Sequence, residues 1–348
     1  MSDATPRPAG ALRDFARRIF GAAGLAPDKA RAVAHYLVEA DMMGHTTHGL
    51  ALAPWYLAGI DEGVVTRDGT PEVISDRGAA VCWRGRRLPG AWLAEQAMLL
   101  ACARARDFGT ATVVVGDSHH NGALAAYLPI ATGQGLMASI ASSSPSGAQV
   151  APFGGLKGVM TPNPVAYGIP VPGRPILIDL SASITTVNLA QRMIRAGERY
   201  DHDWVMDAEG NPSRDPEVLT AGGTLLPTGG LDHGQKGYGL ALAVEALTQG
   251  LAGYGRADAP RGTNAAMTIT VHDPEAFGGA RAFLRQTGWL AEACRSNPPR
   301  DPSRPVRLPG QAAQARRDRA LAEGVTLHPG IWEALSAEAE KRGLGWAG

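Results

Sequence analysis

The sequence predicts a mixed α/β protein of two lobes, in which helical segments flank a central set of strands. Its 348 residues, of which 45% are hydrophobic and 19% charged, are enough to build two lobes with apolar cores. Helical apolar spacing occurs near both ends of the sequence, and short β-branched runs lie between them. No Gly-x-Gly-x-x-Gly follows a predicted strand, so the ordinary Rossmann fingerprint is absent.

The first part of the chain, about residues 12–59, is predicted to be helical. Leu12 and Phe15 belong to one apolar stripe, and Pro27 is placed to begin a second helix. Gly44 is predicted to end that second helix, because glycine readily adopts the left-handed conformation of a helix terminus. A polar turn therefore follows the second helix directly.

The middle of the chain is predicted to alternate between strands and helices. Strands are predicted at 73–74, 79–83, 110–115, 137–142, 176–180 and 266–271, and helices at 91–108, 123–132, 238–251 and 273–294. A loop is predicted at 161–164, a surface excursion at 201–223 and a glycine-rich segment at 225–238. The last part of the chain is predicted to form two further helices. Three of the strands, which end near Val115, Ser142 and Leu180, run into polar and small residues. One binding site is expected where these strands end.

The polar turn after the second helix contains the first candidate for chemistry, His-Thr-Thr-His-Gly at residues 45–49. Histidine titrates near neutral pH, and an imidazole beside a hydroxyl suits proton transfer. Gly49 allows a ligand or another backbone segment to come close to His48. Three interpretations stay open for these residues alone: a structural histidine, a metal half-site formed by His45 and His48, and a proton donor.

Two further segments carry candidate residues. His119 and His120 follow a strand, and they could be structural or could join Asp117 and Asp179 in a metal cluster, although no local spacing supports such a cluster. Lys236 lies in a glycine-rich run that lacks the Gly-Lys-Ser/Thr order of a nucleotide phosphate loop. A lysine at a helix N-terminus could still bind a phosphate or carboxylate, and a solvated lysine in a flexible loop is the alternative.

Composition argues against several classes of function. Lys+Arg and Asp+Glu both count 33, so the charge balance does not predict binding to nucleic acid or to an anionic membrane. The three cysteines lack Cys-x-x-Cys spacing, which favours free thiols in a reducing compartment. Neither a run of about 18 apolar residues nor a signal peptide is apparent, so we expect a cytoplasmic protein.

The motifs taken together resemble the malate/L-lactate dehydrogenase family, which includes ureidoglycolate and sulfolactate dehydrogenases, diketogulonate reductase and piperideine-2-carboxylate reductase. The resemblance covers about residues 10–345. Its motifs follow the family's order along the chain: Ala40-Asp41, Gly44, His48-Gly49 and Pro54, then Ser118, His120 and Gly122-Ala123, then Ser144-Pro145, Ala151-Pro152, Gly154-Gly155, Asn163-Pro164 and Asp179, and finally 236–240, 273–279 and 308–310.

This resemblance implies a homodimeric oxidoreductase that uses NAD or NADP to exchange hydride with a C=O or C=N carbon of a small molecule, with no metal. The implied fold is a non-Rossmann α/β domain with a largely antiparallel sheet and a helical lobe formed by both termini. The helical lobe would comprise residues 1–72 and 283–348. The dinucleotide- and substrate-binding sheet domain would comprise residues 73–282.

The resemblance also implies roles for individual residues. His48 would donate or accept the proton, Thr47 stands where the family has a relay serine, and His120 would serve both catalysis and cofactor binding. The full set of implied cofactor contacts is His120, Asn121, Gly122, Ala123, Leu124, Ser144, Asp179, Leu180, Ser181, Lys236, Gln311 and Arg316.

The implied substrate positions depart from the family's pattern. Leu52 replaces an arginine that would bind the substrate's carboxylate, Pro162 replaces a threonine, and Val187 and Asn188 replace an arginine and a glycine. These changes favour a less acidic or bulkier substrate, such as a neutral ketone or a cyclic imine. Two alternatives remain: a metal-dependent hydrolase or lyase that uses the clustered histidines, and a family member that binds cofactor without turnover.

Overall fold

The computed structural model describes residues 5–346. Its α-helices are α1 (Ala9–Ala22), α2 (Pro27–Met43), α3 (Ala53–Asp61), α4 (Gly90–Phe108), α5 (Leu128–Thr132), α6 (Val187–Ala196), α7 (Gly230–His233), α8 (Gln235–Glu245), α9 (Ala280–Arg295), α10 (Gln311–Glu323) and α11 (Ile331–Glu340). Its strands are β1 (Glu72–Asp76), β2 (Ala80–Arg84), β3 (Thr110–Ser118), β4 (Met137–Ser143), β5 (Val165–Ile169), β6 (Ile176–Leu180), β7 (Val205–Met206), β8 (Pro212–Ser213), β9 (Thr224–Leu225) and β10 (Ala265–His272).

The central sheet has seven strands in the order β1-β2-β3-β10-β4-β5-β6. Strands β2 and β3 run parallel, and the other neighbouring pairs of this sheet are antiparallel. The predicted mixed α/β class and the largely antiparallel sheet are therefore confirmed. A second, smaller sheet joins β8, β7 and β9.

Strands β3, β4 and β6 point in the same direction, although none of them is a neighbour of another. Strand β10 is antiparallel to both β3 and β4, and β5 is antiparallel to both β4 and β6. Two reversals restore the original direction, so the carboxyl ends of the three strands lie at one edge of the sheet. This topology places the segments that follow Ser118, Ser143 and Leu180 at that edge.

Helices from both ends of the sequence pack on one another beside the sheet. Helix α10 contacts α2, and α11 contacts α1 and α3, while α4 covers β3 and β10. The backbones of Arg7 and Val325 also pair, through Arg7 N to Val325 O at 3.1 Å and Val325 N to Arg7 O at 2.7 Å. One apolar cluster runs continuously from these helices through α4 to the sheet, so burial of apolar surface connects all of them.

The glycine-rich segment at 225–238 is largely helical, because helix α7 and the start of α8 occupy most of it. Of the two alternatives for Lys236, the helix N-terminus is confirmed and the flexible loop is wrong. Lys236 lies in the first turn of α8. A Cβ on Gly237 would lie 2.3 Å from Thr228 N and 2.5 Å from Ala182 O. Gly237 therefore serves close packing of a helix against a neighbouring backbone, and the sequence pattern alone does not distinguish this use from flexibility.

Other elements differ from the prediction in type or extent. Strand β5 was not predicted, because its run is short and contains Gly168, which packs against Leu128 and Thr132. The predicted surface excursion at 201–223 contains β7 and β8. The predicted helix at 123–132 begins as a 3₁₀ turn, and α9 begins only at Ala280. Within the described part of the chain, no helix is both long and apolar enough to cross a membrane.

Glu39 joins three helices. This residue of α2 is 3% exposed, and its Oε2 accepts a hydrogen bond from Arg13 Nη2 of α1 at 3.0 Å. Arg317 of α10 forms an ion pair with the other carboxylate oxygen. Charge-assisted hydrogen bonds of this kind are stronger than neutral ones.

Replacing Glu39 by glutamine should therefore lower the free energy of unfolding by about 1–3 kcal/mol, because both arginines lose their charged partner. Urea denaturation measures this difference. Glu62→Gln is the matched control, since Glu62 is exposed and forms no ion pair within residues 5–346, and its effect should stay within about 0.5 kcal/mol. Equal effects of the two substitutions would contradict this role of Glu39.

Candidate active site

The turn from Gly44 to Gly49 holds His48 directly after α2. Gly44 has φ 88°, and its N–H donates to Asp41 O at 3.0 Å while the N–H of His45 donates to Ala40 O at 2.8 Å. The predicted helix stop at Gly44 is confirmed. The N–H of His48 in turn donates to His45 O at 2.8 Å, so the backbone on both sides of the imidazole is fixed by short-range hydrogen bonds.

The imidazole of His48 is half-buried and has one defined polar partner. Its Nδ1 lies 2.9 Å from Thr47 Oγ1, and its ring stacks on that of His120 with 5.9 Å between centroids. Burial lowers the pKa of His48 to about 4, and the nearby charges of His45 and Arg192 act in the same direction. His48 is therefore neutral at pH 7, and Nε2 is the nitrogen left to exchange a proton with another molecule.

His120 is held in one tautomer. Its Nδ1 accepts the N–H of Gly122 at 3.2 Å and lies 2.6 Å from the hydroxyl of Tyr56. A nitrogen that accepts a backbone N–H carries no proton, so the neutral ring has its proton on Nε2. Burial lowers the pKa of His120 well below its ordinary value, and the charges of His48 and His119 add to this effect. His120 is thus a neutral hydrogen-bond donor beside His48.

The segment after β3 contacts the ends of the two other strands that share its direction. Asn121 Nδ2 donates to Ser142 Oγ at 2.8 Å, and the N–H of Ala125 donates to Asp179 Oδ2 at 2.9 Å. Burial raises the pKa of Asp179, while the charge of His45 and the hydrogen bond from Ala125 oppose this increase. The predicted cofactor residues between His120 and Leu124 therefore lie together with Asp179 at the edge described above.

Other predicted cofactor residues lie at the same edge. Ser144 follows β4, and its Oγ donates to Asn264 O at 2.7 Å. Leu180, at the end of β6, is 42% exposed. Ser181 Oγ donates to Ser183 O at 2.6 Å. Lys236 is exposed next to Gly237, which packs against the backbone of Ala182, so the lysine is close to the segment after β6 in the fold.

Gln311 and Arg316 on α10 occupy different places. Gln311 begins α10 directly after Gly310, which packs against Leu177 near the start of β6. It therefore lies at the opposite end of β6 from Asp179. Arg316 lies against the turn that carries His48, because its Cδ would lie 3.0 Å from a Cβ built on Gly44. Of these two residues, Arg316 alone is brought to the turn that carries His48.

The predicted substrate positions lie in three parts of the fold: Leu52 in the apolar core, Pro162 against the segment after β6, and Val187 and Asn188 at the start of α6. Leu52 is 6% exposed and belongs to the main apolar cluster. Pro162 accepts the N–H of Ala182 through its carbonyl at 2.8 Å. Val187 is the first residue of α6, and Asn188 donates from Nδ2 to Thr47 O at 3.2 Å. Helix α6 thus contacts the turn that carries His48.

Four residues of this region have no role predicted from the sequence. Trp55 is 43% exposed with its ring 5.4 Å from that of His120, Tyr56 bonds His120, and Arg192 Nη1 donates to Thr46 Oγ1 at 3.0 Å. The signal available for Arg192 was its spacing of four residues from Asn188, which places both on one face of a helix. The fourth residue, Asp41, lies beneath the turn.

The side chain of Asp41 explains why the residue after His48 is a glycine. Its Oδ2 accepts the N–H of Leu50 at 2.8 Å, and its Oδ1 has no hydrogen-bond partner among the described residues. A Cβ on Gly49 would lie 2.2 Å from Oδ1 of Asp41, so no larger residue fits. Burial raises the pKa of Asp41 to about 7, against the hydrogen bond from Leu50 and the charge of Arg192. A ligand or another backbone segment was expected to approach Gly49 closely. The group that does so is the side chain of Asp41.

The clustered histidines do not form a metal site in the described part of the chain. No group of three or more His, Cys, Asp or Glu side chains there has an arrangement that could hold a metal ion. His48 and His120 instead stack face to face, and a hydroxyl lies within hydrogen-bond distance of each ring. The hypothesis of a metal-dependent hydrolase or lyase has no ligand cluster in this region to support it.

Comparison with known proteins identifies the family. The sequence profile described as malate/L-lactate dehydrogenase matches residues 8–336. The chain belongs to the malate/L-lactate dehydrogenase family. The resemblance found in the sequence motifs is thereby confirmed. The relatives that this chain matches include malate and L-lactate dehydrogenases and a reductase, so this chain is a dehydrogenase-type oxidoreductase.

Three relatives show how far the family similarity extends. An L-lactate dehydrogenase of Cupriavidus necator is 30% identical over 344 residues, which cover 94% of this chain and 95% of the relative. A malate dehydrogenase of Pyrococcus horikoshii is 28% identical, with 97% and 95% covered. The crystal structure of a Δ1-piperideine-2-carboxylate reductase from Pseudomonas syringae superposes with a TM-score of 0.85 at 27% identity, covering 96% of this chain and 100% of that one. The similarity to these members of the malate/L-lactate dehydrogenase family thus extends over almost the whole chain.

Replacing His48 by glutamine should change how stability depends on pH. The pKa of His48 is about 4 in the folded chain and about 6.5 when unfolded, so the unfolded state binds more protons between these values. This histidine therefore makes the wild type lose stability as the pH falls from 6.5 to 4. Without it, the loss should be shallower by about 1.4 kcal/mol per pH unit.

Chemical denaturation at several pH values measures this slope, and the wild type is the reference. Asp41 acts with the opposite sign, because its raised pKa stabilises the fold at low pH, but its contribution is common to both proteins. An unchanged slope between pH 4 and 6.5 would mean that His48 is not held neutral by the fold.

Proposed function

We propose that this enzyme uses NADH or NADPH to transfer hydride to, or from, the C=O or C=N carbon of a small substrate, with His48 as the proton donor or acceptor. The observation that carries the proposal is the state of His48. The ring is neutral, its Nδ1 lies against Thr47, and its face lies against His120, so Nε2 is available to a substrate. Such a group, placed beside a reacting oxygen, contributes roughly 10²–10⁴-fold to the rate.

His48 and Thr47 have complementary roles in this proposal. In oxidation, the neutral imidazole accepts the proton of the substrate's hydroxyl or amine as hydride leaves. In reduction, His48 first takes up a proton to become imidazolium. It then delivers the Nε2 proton to the negative charge that builds on the substrate oxygen or nitrogen, and returns to the neutral form. Thr47 Oγ1 is within hydrogen-bond distance of Nδ1, so it orients the ring. The ring of His120 stacks on one face of the His48 ring.

The residues at the strand ends fit a nicotinamide dinucleotide, which supplies or accepts the hydride when it is bound. Lys236 and Arg316 are exposed, and neither forms an ion pair within residues 5–346, so both are available to phosphate groups. Lys236 also lies in the first turn of α8, where the helix end favours anions. Ser144 and Ser181 offer hydroxyls to a ribose. The proposal includes both NAD and NADP.

The proposed substrate resembles a 2-oxo or 2-hydroxy acid, in a pocket altered toward a less acidic or bulkier ketone or a cyclic imine. Three positions that are polar or charged in the family's pattern are Leu52, Pro162 and Val187 here. Leu52 is buried among apolar side chains, which supports the loss of a charged contact at that position.

We also propose the finer architecture that the family implies. The terminal segments 1–72 and 283–348 would form one helical lobe beside a non-Rossmann sheet domain at 73–282, although the second boundary falls inside α9. Packing of α10 on α2 and of α11 on α1 and α3 supports such a lobe. The enzyme would be a cytoplasmic homodimer with a small-molecule substrate as its partner. Cys82, Cys102 and Cys294 are free, which suits a reducing compartment.

Replacing His48 by glutamine should lower kcat/KM by about 10²–10⁴-fold, because the proton donor is lost while the turn keeps its backbone hydrogen bonds. Fluorescence titration should show unchanged binding of NADH or NADPH. His202→Gln is the control, since His202 is exposed, and its kcat/KM should match the wild type.

Assays in EDTA should leave the wild-type rate intact, because the proposed chemistry involves no metal. Turnover that survives His48→Gln unchanged would exclude the proposed role of His48. Binding of reduced dinucleotide without turnover on any substrate would favour the alternative of a binding protein.

A substrate panel should rank bulkier ketones and cyclic imines above small 2-oxo acids. A pocket that changes by a methylene-sized group discriminates about 10–200-fold, so kcat/KM for pyruvate and oxaloacetate should be lower by at least tenfold than for the best substrate. The measurement is initial-rate reduction by NADH and NADPH across both groups. Pyruvate or oxaloacetate as the best substrate would contradict the altered pocket.

A further inference from the structure

An arginine of helix α6 contacts the turn that holds His48. Arg192 is half-buried, and its Nη1 donates to Thr46 Oγ1 at 3.0 Å. One helical turn earlier, Asn188 Nδ2 donates to Thr47 O at 3.2 Å. Residues four apart share a helix face, so one face of α6 lies along the turn immediately before His48.

Most N–H donors of the Arg192 guanidinium have no partner within residues 5–346. It carries five N–H groups, and within residues 5–346 it makes this one hydrogen bond and no ion pair. Asp41 is close enough for each group's charge to affect the pKa of the other, but the two do not form an ion pair. A half-buried guanidinium without a directly bonded carboxylate is unusual, because the charge of Asp41 compensates its desolvation only in part.

We propose that Arg192 binds the carboxylate of a 2-oxo acid, or of its cyclic-imine equivalent, in place of the arginine that is absent at position 52. This assignment rests on the proposed function of the enzyme. It selects one of the two pocket hypotheses above, since the substrate would be bulkier and would still carry a carboxylate.

The chemistry of such a substrate requires this arrangement. The carboxylate and the reacting carbon of a 2-oxo acid are directly bonded, so the proton donor and the cation must approach one small molecule together. Arg192 bonds Thr46, two residues before His48, and its charge contributes to the low pKa of His48. The planar guanidinium matches a carboxylate with two parallel hydrogen bonds, whereas a lysine provides only a point charge.

The position of the family's arginine is closed to this role here. Leu52 is 6% exposed within the main apolar cluster. A cation placed there would lose hydration without gaining a partner. Arg192 approaches the turn from another helix and keeps part of its side chain exposed, so it can meet an anion that enters from solvent.

Isothermal titration with oxamate, an unreactive isostere of pyruvate that carries one carboxylate, tests the assignment in the presence of NADH or NADPH. Arg192→Gln should weaken oxamate binding by about 10–100-fold, as expected for loss of a charge-assisted pair. Arg192→Lys should be intermediate, because it keeps the charge and loses the paired geometry. Arg195→Gln, which removes an exposed arginine from the same helix, should stay within about twofold of the wild type.

Kinetics separate this role from simple support of the turn. In Arg192→Gln, KM should rise for carboxylate substrates, while kcat/KM for the corresponding neutral amides should change little. Equal losses on acids and amides would mean that Arg192 only positions the turn, and would overturn the assignment. Should the glutamine variant fail to fold, Arg192→Lys decides by the same two measurements.

The outcomes also distinguish this assignment from the proposed function. If the wild type fails to bind reduced dinucleotide, the proposed function fails and this assignment fails with it. If dinucleotide binds and oxamate affinity is the same in wild type and Arg192→Gln, the assignment alone is overturned.

Discussion

The contact between Gly49 and the buried carboxylate of Asp41 is the constraint on which the candidate active site depends. The turn after α2 folds back over Asp41, which accepts the N–H of Leu50. There is no room for a Cβ at Gly49, because it would overlap the carboxylate. His48 is therefore held by the backbone of the turn as well as by the contacts of its imidazole with Thr47 and His120.

The electrostatics of the site follow from the same burial. Desolvation keeps the imidazoles of His48, His119 and His120 neutral and raises the pKa of Asp41 and Asp179. Groups that titrate in water near pH 4 to 7 are thus pushed toward their uncharged forms. Arg192, Lys236 and Arg316 are cations that lie around the turn and the strand ends. They attract an anionic substrate or cofactor to this edge of the sheet.

Much of the scaffold could be predicted from the sequence, because the signals for its helices and strands lie in short runs of adjacent residues. Gly44 at the end of α2 and the β-branched run of β3 each follow from a few adjacent residues. The direction shared by β3, β4 and β6 depends on β5 and β10, and β5 was missed because Gly168 interrupts its short apolar run. At Gly237 a tight helix contact has the same sequence pattern as a flexible loop. Such contacts depend on the opposing backbone, which the local sequence does not contain.

The same distinction explains which site residues the sequence revealed. His48 and Thr47 are adjacent and formed a recognisable motif, whereas Arg192 reaches Thr46 from 146 positions away in the chain. An arginine at position 52 would be visible as part of a motif, but that position is held here by Leu52, which is buried among apolar side chains. On α6, Arg192 remains partly exposed and bonds the turn that carries the proposed proton donor. Any shift of α6 would then move Arg192 and, through Asn188 and Thr47, the support of His48 as well. In the proposed function, substrate recognition by Arg192 and proton transfer by His48 are therefore coupled through one helix face.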